Sequence, residues 1–262
     1  MTVLSPLQGR HALVTGGARG IGLACAQALG AQGAVITLMG RQAAGLQAAC
    51  EHLAAAGVTA GYVCGDVARQ GEVEQAFAAA RAARGPLHIL VNNAGQAISE
   101  RFDRTSAELW QQMLQVNLSG VFHCAQAALP DMLQAGWGRV INVASTAGLL
   151  GYAYVSAYCA AKHGVVGLTR ALAQEVARKG VTVNAVCPGY TETDIVRDAV
   201  ANIIRKTGLD EAAARARLAQ RNPQGRLVQP QEVADTVAWL ALPASASVNG
   251  QAIAVDGGEA AA

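Results

Sequence analysis

Three side chains near the middle of the chain have the types and spacing of an acid–base site. Tyr158 and Lys162 stand four apart in "YAYVSAYCAAK" (152–162), a segment of helical composition. That spacing puts both on one helix face, within reach of each other. A nearby ammonium stabilises a phenolate and lowers the tyrosine pKa. Proton transfer near neutrality needs such a shift, because free tyrosine titrates at about 10. Ser145 ends the apolar run "RVINVAS" (139–145), where its hydroxyl can hold a carbonyl oxygen beside the phenol. Tyr152 and Tyr154 have no lysine four residues on. They precede the helix and are expected at a substrate entrance, with a role in specificity. Cys159 and His163 are read as packing residues beside the acid–base pair.

A second site lies near the start. "TGGARGIG" (15–22) follows one apolar run and opens a helical segment. Gly16 permits a tight turn, Gly20 lets backbone approach a pyrophosphate, and Gly22 allows close packing of helix on strand. The helix N-terminus then offers free N–H groups and a positive dipole end to the anion. Strand before and helix after is the context this motif requires. The next strand ends in "LMGRQ" (38–42), where an acid would select an adenosine ribose without a 2′-phosphate. Here Gly40 and Arg41 occupy that place. Arg41, with Arg19 from the glycine loop, is suited to a phosphate, so NADP(H) is expected over NAD(H). Asp66 in "GDV" is placed for the adenine edge or for a helix cap. Asn92 and Asn93 in "NNAG" either brace the sheet or line the cofactor.

Both sites need strands that end in loops on one side of a sheet. Seven short Val- and Ile-rich runs supply them: 11–16, 34–40, 60–66, 87–95, 139–145, 181–189 and 251–258. Their apolarity is continuous, as in a parallel sheet covered on both faces. Helical segments at 21–33, 42–56, 70–84, 106–135 and 156–179 alternate with them. The expected fold is a doubly wound seven-stranded parallel sheet of α/β class, in one domain over 1–262. One interval, about 190–228, exceeds an ordinary connection. It reads as one or two helices over the sheet, where a substrate lid would sit.

Composition bounds the partners. With 52% hydrophobic and 15% charged residues the 262-residue chain has ample core. A formal charge of +2 with no basic stripe argues against nucleic acid. Six cysteines form no CxxC pair and read as reduced core residues. No metal site is expected. "MTVLSPLQGRH" lacks a secretory pattern, and no apolar stretch reaches a membrane span, so a cytoplasmic protein is expected.

In these motifs the chain resembles the short-chain dehydrogenases/reductases, from about residue 9 to 258. TGGARGIG, GDV, NNAG, Asn117 in "QVNLSG", Ser145, Tyr158-x-x-x-Lys162, "CPGYTET" and "DGG" fall in that family's order and spacing. The resemblance implies that Tyr158 is the general acid for an alkoxide formed by hydride, and the base in reverse. It implies that Lys162 tunes Tyr158 and binds the nicotinamide ribose, that Ser145 orients the carbonyl, and that Asn117 holds a water linking Lys162 to solvent. It brings Pro188, Gly189, Thr191 and Thr193 to the nicotinamide. It extends the cofactor contacts to Ala18, Ile21, Val67, Asn93, Ala94 and Gly95. It also implies a homodimer or homotetramer paired through the helices at 106–135 and 156–179.

The resemblance implies a small carbonyl or alcohol as substrate. The text "AAKHGVVGLTRALAQEVARKGVTVNAVCPGY" and "GRLVQPQEVA" resembles 3-oxoacyl thioester reductases and polyketide ketoreductases, which favours a carrier-bound thioester. Residues 194–226 carry seven Arg/Lys against four Asp/Glu, a surplus suited to a phosphate-bearing carrier. Reduction of a free ketone, sugar, steroid or xenobiotic alcohol is the alternative. A non-catalytic NADP-binding protein is disfavoured by the complete catalytic set.

Overall fold

The computed structural model describes residues 5–261. The seven expected strands all form: β1 (His11–Thr15), β2 (Val35–Gly40), β3 (Ala60–Cys64), β4 (Ile89–Asn92), β5 (Gly138–Val143), β6 (Val181–Pro188) and β7 (Ala252–Val255). They pair in parallel in the order β3-β2-β1-β4-β5-β6-β7. Every residue of β1, β4, β5 and β6 is buried, as expected of largely apolar, non-alternating strands covered on both faces. β3 is an edge strand with half-exposed positions, and Cys64 at its end is exposed rather than in the core.

Two helical layers cover the sheet. α1 (Gly20–Ala31), α2 (Ala43–Ala55) and α9 (Pro230–Ala241) bury Leu29, Leu46 and Val237 against Ile36 and Val91. α3 (Gln70–Arg84), α5 (Gly120–Ala135) and α6 (Ser156–Val176) bury Phe77, Cys124 and Val176 against Leu90 and Val183. After β1 the chain runs outward to β3, then returns to the other side of β1 as β4. This reversal opens a crevice at the C-terminal ends of β1 and β4.

Two elements differ from the sequence reading. The helix expected at 106–135 is α4 (Ala107–Leu114), a π-helical turn (Gln115–Ser119) and α5. The extra residue in that turn disturbs the ladder, so the Met113 carbonyl accepts from the Asn117 side chain, Nδ2 to O 3.0 Å. The long interval after β6 forms α7 (Asp194–Thr207) and α8 (Glu211–Ala219). These close on a small core of their own, with Val196, Val200, Ala214 and Leu218. Val228 ties the base of this pair to the loop after β6: its N–H donates to Tyr190 O and its carbonyl accepts from Glu192 N, both at 2.9 Å.

Candidate active site

The glycine loop connects β1 to α1 with Gly16 and Gly20 at φ +63° and +53°, conformations that favour glycine. A Cβ on Gly22 would overlap the Gly16 carbonyl oxygen. Thr15 anchors the turn: its hydroxyl oxygen accepts from the N–H groups of Asn93 and Ala94, both at 3.0 Å. Asn93 Nδ2 donates to the carbonyls of Thr15 and Gly16 at 3.0 and 3.1 Å. The Asn93 side chain thus braces the loop rather than presenting its amide to a cofactor. Asn92 braces the sheet, donating to Asn142 at 2.9 Å. Ala18 and Ile21 pack on the core beneath α1. This cradle of close backbone, with two left-handed glycines and a helix N-terminus behind it, fits a dinucleotide pyrophosphate.

At the end of β2, Arg41 is exposed and pairs with no carboxylate among the described residues. Arg19 differs from the expectation. It reaches Asp194 at the start of α7, 2.7 Å away, instead of converging with Arg41. Arg197 pairs with the same carboxylate. Arg19 is 79% exposed there, so that bridge is weak and exchangeable. Asp66 accepts from its own turn, Ala68 N at 3.0 Å, and does not cap α3. Val67 is buried against Gly120, and its carbonyl accepts from His123 Nδ1 at 3.1 Å.

The catalytic candidates gather beyond the ends of β4 and β5. Ser145 caps the short turn Thr146–Gly148, accepting from Ala147 N at 3.1 Å. Tyr158 sits in the first turn of α6 and Lys162 one turn on, its ammonium 5.6 Å from the centre of the Tyr158 ring. Lys162 is 4% exposed and donates to the Val143 carbonyl at 2.8 Å. Burial pulls its pKa down to about 8. Burial also pushes the Tyr158 phenol up to about 12, and Ser145 draws it only partly back. The direction is opposite to the lowering expected from the lysine, and its largest cause is loss of solvent around the phenol.

Asn117 is fully buried. Its Oδ1 accepts from Gln96 N at 3.1 Å, and its Nδ2 donates to Gln96 O and Met113 O. It thereby fixes the loop after β4. A Cβ on Gly95 would lie 2.9 Å from Asn117 Oδ1 and 3.8 Å from Lys162 Nζ, so the absence of a side chain there lets the two groups share one space.

The "PGYTET" loop after β6 closes the crevice. Pro188 is buried, Gly189 touches Asp256, and the methyl group of Thr193 faces Gly20 across the opening. The Thr191 and Thr193 hydroxyls donate within the loop, to Gly189 O and Thr191 O. Tyr152 and Tyr154 part company. Tyr154 is 65% exposed at φ +69°. Tyr152 is half-buried, its hydroxyl 2.8 Å from both Thr146 Oγ1 and Glu259 Oε1, with the Arg221 guanidinium over its ring at 4.7 Å. Tyr190 meets it edge-on at 6.3 Å. The sequence reading missed Thr15, Gln96, Tyr190 and Glu259. Thr15 was available as the first residue of the glycine motif; Glu259 had no signal, because only the fold brings the chain end to Tyr152.

The comparisons agree with this architecture. Aligned over 253 residues, the chain is 41% identical to D-beta-hydroxybutyrate dehydrogenase of Cupriavidus necator, covering 96% of this chain and 98% of that protein. It is 38% identical over 252 residues to 3-oxoacyl-(acyl-carrier-protein) reductase of Vibrio cholerae, with the same coverage, 96% and 98%. A variant of actinorhodin polyketide ketoreductase solved with NADPH superimposes with a TM-score of 0.93 at 41% identity, covering 96% and 97% of the two chains. Since residues 10–203 also match the short chain dehydrogenase model, the protein is an oxidoreductase belonging to the short-chain dehydrogenase/reductase family.

Proposed function

We propose that the protein is an NADP(H)-dependent reductase of 3-oxoacyl thioesters in which Tyr158 is the general acid. The observation that carries this reading is the convergence of Ser145, Tyr158 and Lys162 at the ends of the central strands, with Tyr158 half-buried and the Lys162 ammonium 5.6 Å from its ring centre. When bound, the nicotinamide supplies the hydride. Ser145 orients the substrate carbonyl, and Tyr158 gives its proton to the oxygen as negative charge develops there. Lys162 holds ribose hydroxyls and steadies the phenolate that results. Asn117 keeps the loop after β4 in place and supports a water path by which Tyr158 regains its proton. In the reverse direction the same groups act as base.

Gly16, Gly20 and Gly22 hold the pyrophosphate, Asp66 and Val67 the adenine, Ala94 and Gly95 the ribose side, and Gly189 to Thr193 the nicotinamide. Arg41 favours NADP(H) over NAD(H), because no acid at the end of β2 repels a 2′-phosphate. The name of the Vibrio cholerae relative describes a carrier-bound 3-oxoacyl group, which supports that substrate class; that of the Cupriavidus necator relative shares the 3-oxygenated four-carbon acid without the thioester. Four of the seven Arg/Lys in 194–226 face carboxylates: Arg197, Arg215, Arg221 and Arg226. Arg205, Lys206 and Arg217 are left for a phosphate-bearing carrier. The α7–α8 pair is the lid. The enzyme works in the cytoplasm as a homodimer or homotetramer.

A panel of acetoacetyl thioester, acetoacetate and simple ketones, each with NADPH and NADH, tests the reading. Thioester with NADPH should give the highest kcat/KM. Tyr158→Phe should lower turnover ~10²-fold or more while NADPH still binds; equal turnover in that variant would overturn the assignment.

A further inference from the structure

The N-terminal end of the sheet, opposite the candidate active site, holds a cluster that the proposed reaction does not use. Arg10 precedes β1, His88 precedes β4 and Arg139 is the second residue of β5, so the strand order β1-β4-β5 sets them side by side. Trp137 stands among them. The guanidinium carbons of Arg10 and Arg139 lie 4.0 and 4.4 Å from its ring centre, and His88 is 6.3 Å from it. Arg139 is only 2% exposed. Its Nη1 donates to the carbonyls of Gly138 and Gly180, at 2.8 and 3.4 Å. Its Nε is buried with no hydrogen-bond partner.

Burial of a cation is tolerated when a counter-charge and hydrogen bonds replace water. Among the described residues no carboxylate pairs with Arg10 or Arg139. The acid in this neighbourhood is Asp131, which faces His88 but is bound to Arg81 at 2.7 Å and to the Leu87 amide at 2.9 Å. The two arginines also act on each other: burial and then Arg10 draw the Arg139 pKa down. The stacking on Trp137 supplies part of the missing stabilisation, but no negative charge.

Arg139 lines a cavity of about 350 Å³, with Trp137, Val181, Thr182, Pro243 and Asn249 among its walls. Asn249 is already committed, accepting from Val183 N and donating to Ala173 O. Arg139 is therefore the charged group of the cavity, with the Thr182 hydroxyl beside it, and much of the remaining wall is apolar. Six residues at about 3.3 Å each separate Arg139 from Ser145, roughly 20 Å. The cavity is thus remote from the hydride-transfer site.

We propose that this cavity binds a small organic oxyanion, a carboxylate or phosphate with a short apolar body, whose charge is met by Arg139 and whose body lies against Trp137 and Pro243, with Arg10 on the same indole adding to the positive field. A planar guanidinium suits either head group.

Trp137 provides a local readout. In a Trp110→Phe/Trp239→Phe background it is the only indole left, so anions bound at the glycine loop do not register. Its emission would be titrated with sodium butyrate and with sodium phosphate, against sodium chloride at equal ionic strength. A saturable change with butyrate, phosphate or both is expected, and which of them acts identifies the head group. Arg10→Gln should weaken the midpoint about threefold or more, by removing a neighbouring positive charge, and Arg139→Met should abolish the response. A response matched by chloride, no saturation with either anion, or an unchanged midpoint in Arg10→Gln overturns the proposal. The Arg10 variant decides the matter even if Arg139→Met does not fold.

Discussion

At the scale of single residues, burial governs the chemistry. Tyr158 is raised to about 12 and Lys162 lowered to about 8 by the same loss of solvent. In the proposed mechanism, with Tyr158 raised, the lysine sets the pH dependence. As pH rises through about 8 the Lys162 ammonium is lost, and kcat/KM for reduction should fall along a one-proton limb. The limb should be absent from the residual activity of Lys162→Met; a flat wild-type profile to high pH would refute the assignment. The native value lies below the unfolded one of 10.5, so the unfolded chain binds more protons between the two. This residue therefore makes stability rise with pH across that window. The two entrance tyrosines also separate here. Tyr152→Phe removes contacts to Thr146 and Glu259 and should cost about 1–2 kcal/mol in urea unfolding. Tyr154→Phe, at an exposed position, should stay within about 0.5 kcal/mol.

At the scale of elements, the site depends on how closely backbone segments approach. α1 can start against β1 and β4 only because Gly22 has no side chain: a Cβ there meets the Gly16 carbonyl and lies 2.5 Å from Asn93 Nδ2. Neither group can give way, since Asn93 is held by Thr15 O and Gly16 O. Gly22→Ala should lower stability by about 1–3 kcal/mol and weaken NADPH binding, read by cofactor fluorescence. Gly71→Ala is the control. It lies in the first turn of α3 with open space around it and should gain about 0.5–1 kcal/mol. The π-helical turn works the same way, spending a regular helical hydrogen bond to bury Asn117 where it can clamp Gln96.

At the scale of the whole molecule, the helical faces not used by the sheet carry apolar side chains. Phe122 and Leu133 on α5 are 47% and 40% exposed. They stand eleven residues apart, which returns to nearly the same helix face. Such a stripe suits association of copies through α5. Light scattering should find a dimer or tetramer, and Phe122→Asp should shift it toward smaller species with the circular dichroism unchanged. A wild-type monomer would remove this reading.

The sequence by itself determined the sheet, the glycine turn and the nearness of Tyr158 to Lys162. Each rests on local rules: unbroken Val- and Ile-rich runs for buried parallel strands, glycines at fixed offsets for a turn, and four-residue spacing for Tyr158 and Lys162. The order of these motifs along the chain carried the family. Only the tertiary structure decided what solvent and distant segments do. The sign of the Tyr158 shift depends on burial in three dimensions, which spacing does not encode. Arg19 turned to Asp194 because α7 folds back over the glycine loop. The break of helix 106–135 is hidden because apolar periodicity runs through it, while the reason for it, the loop at Gln96, lies 21 residues away in the chain. Tyr152 became a braced wall instead of an open gate because the fold delivers Glu259 to it across 107 residues.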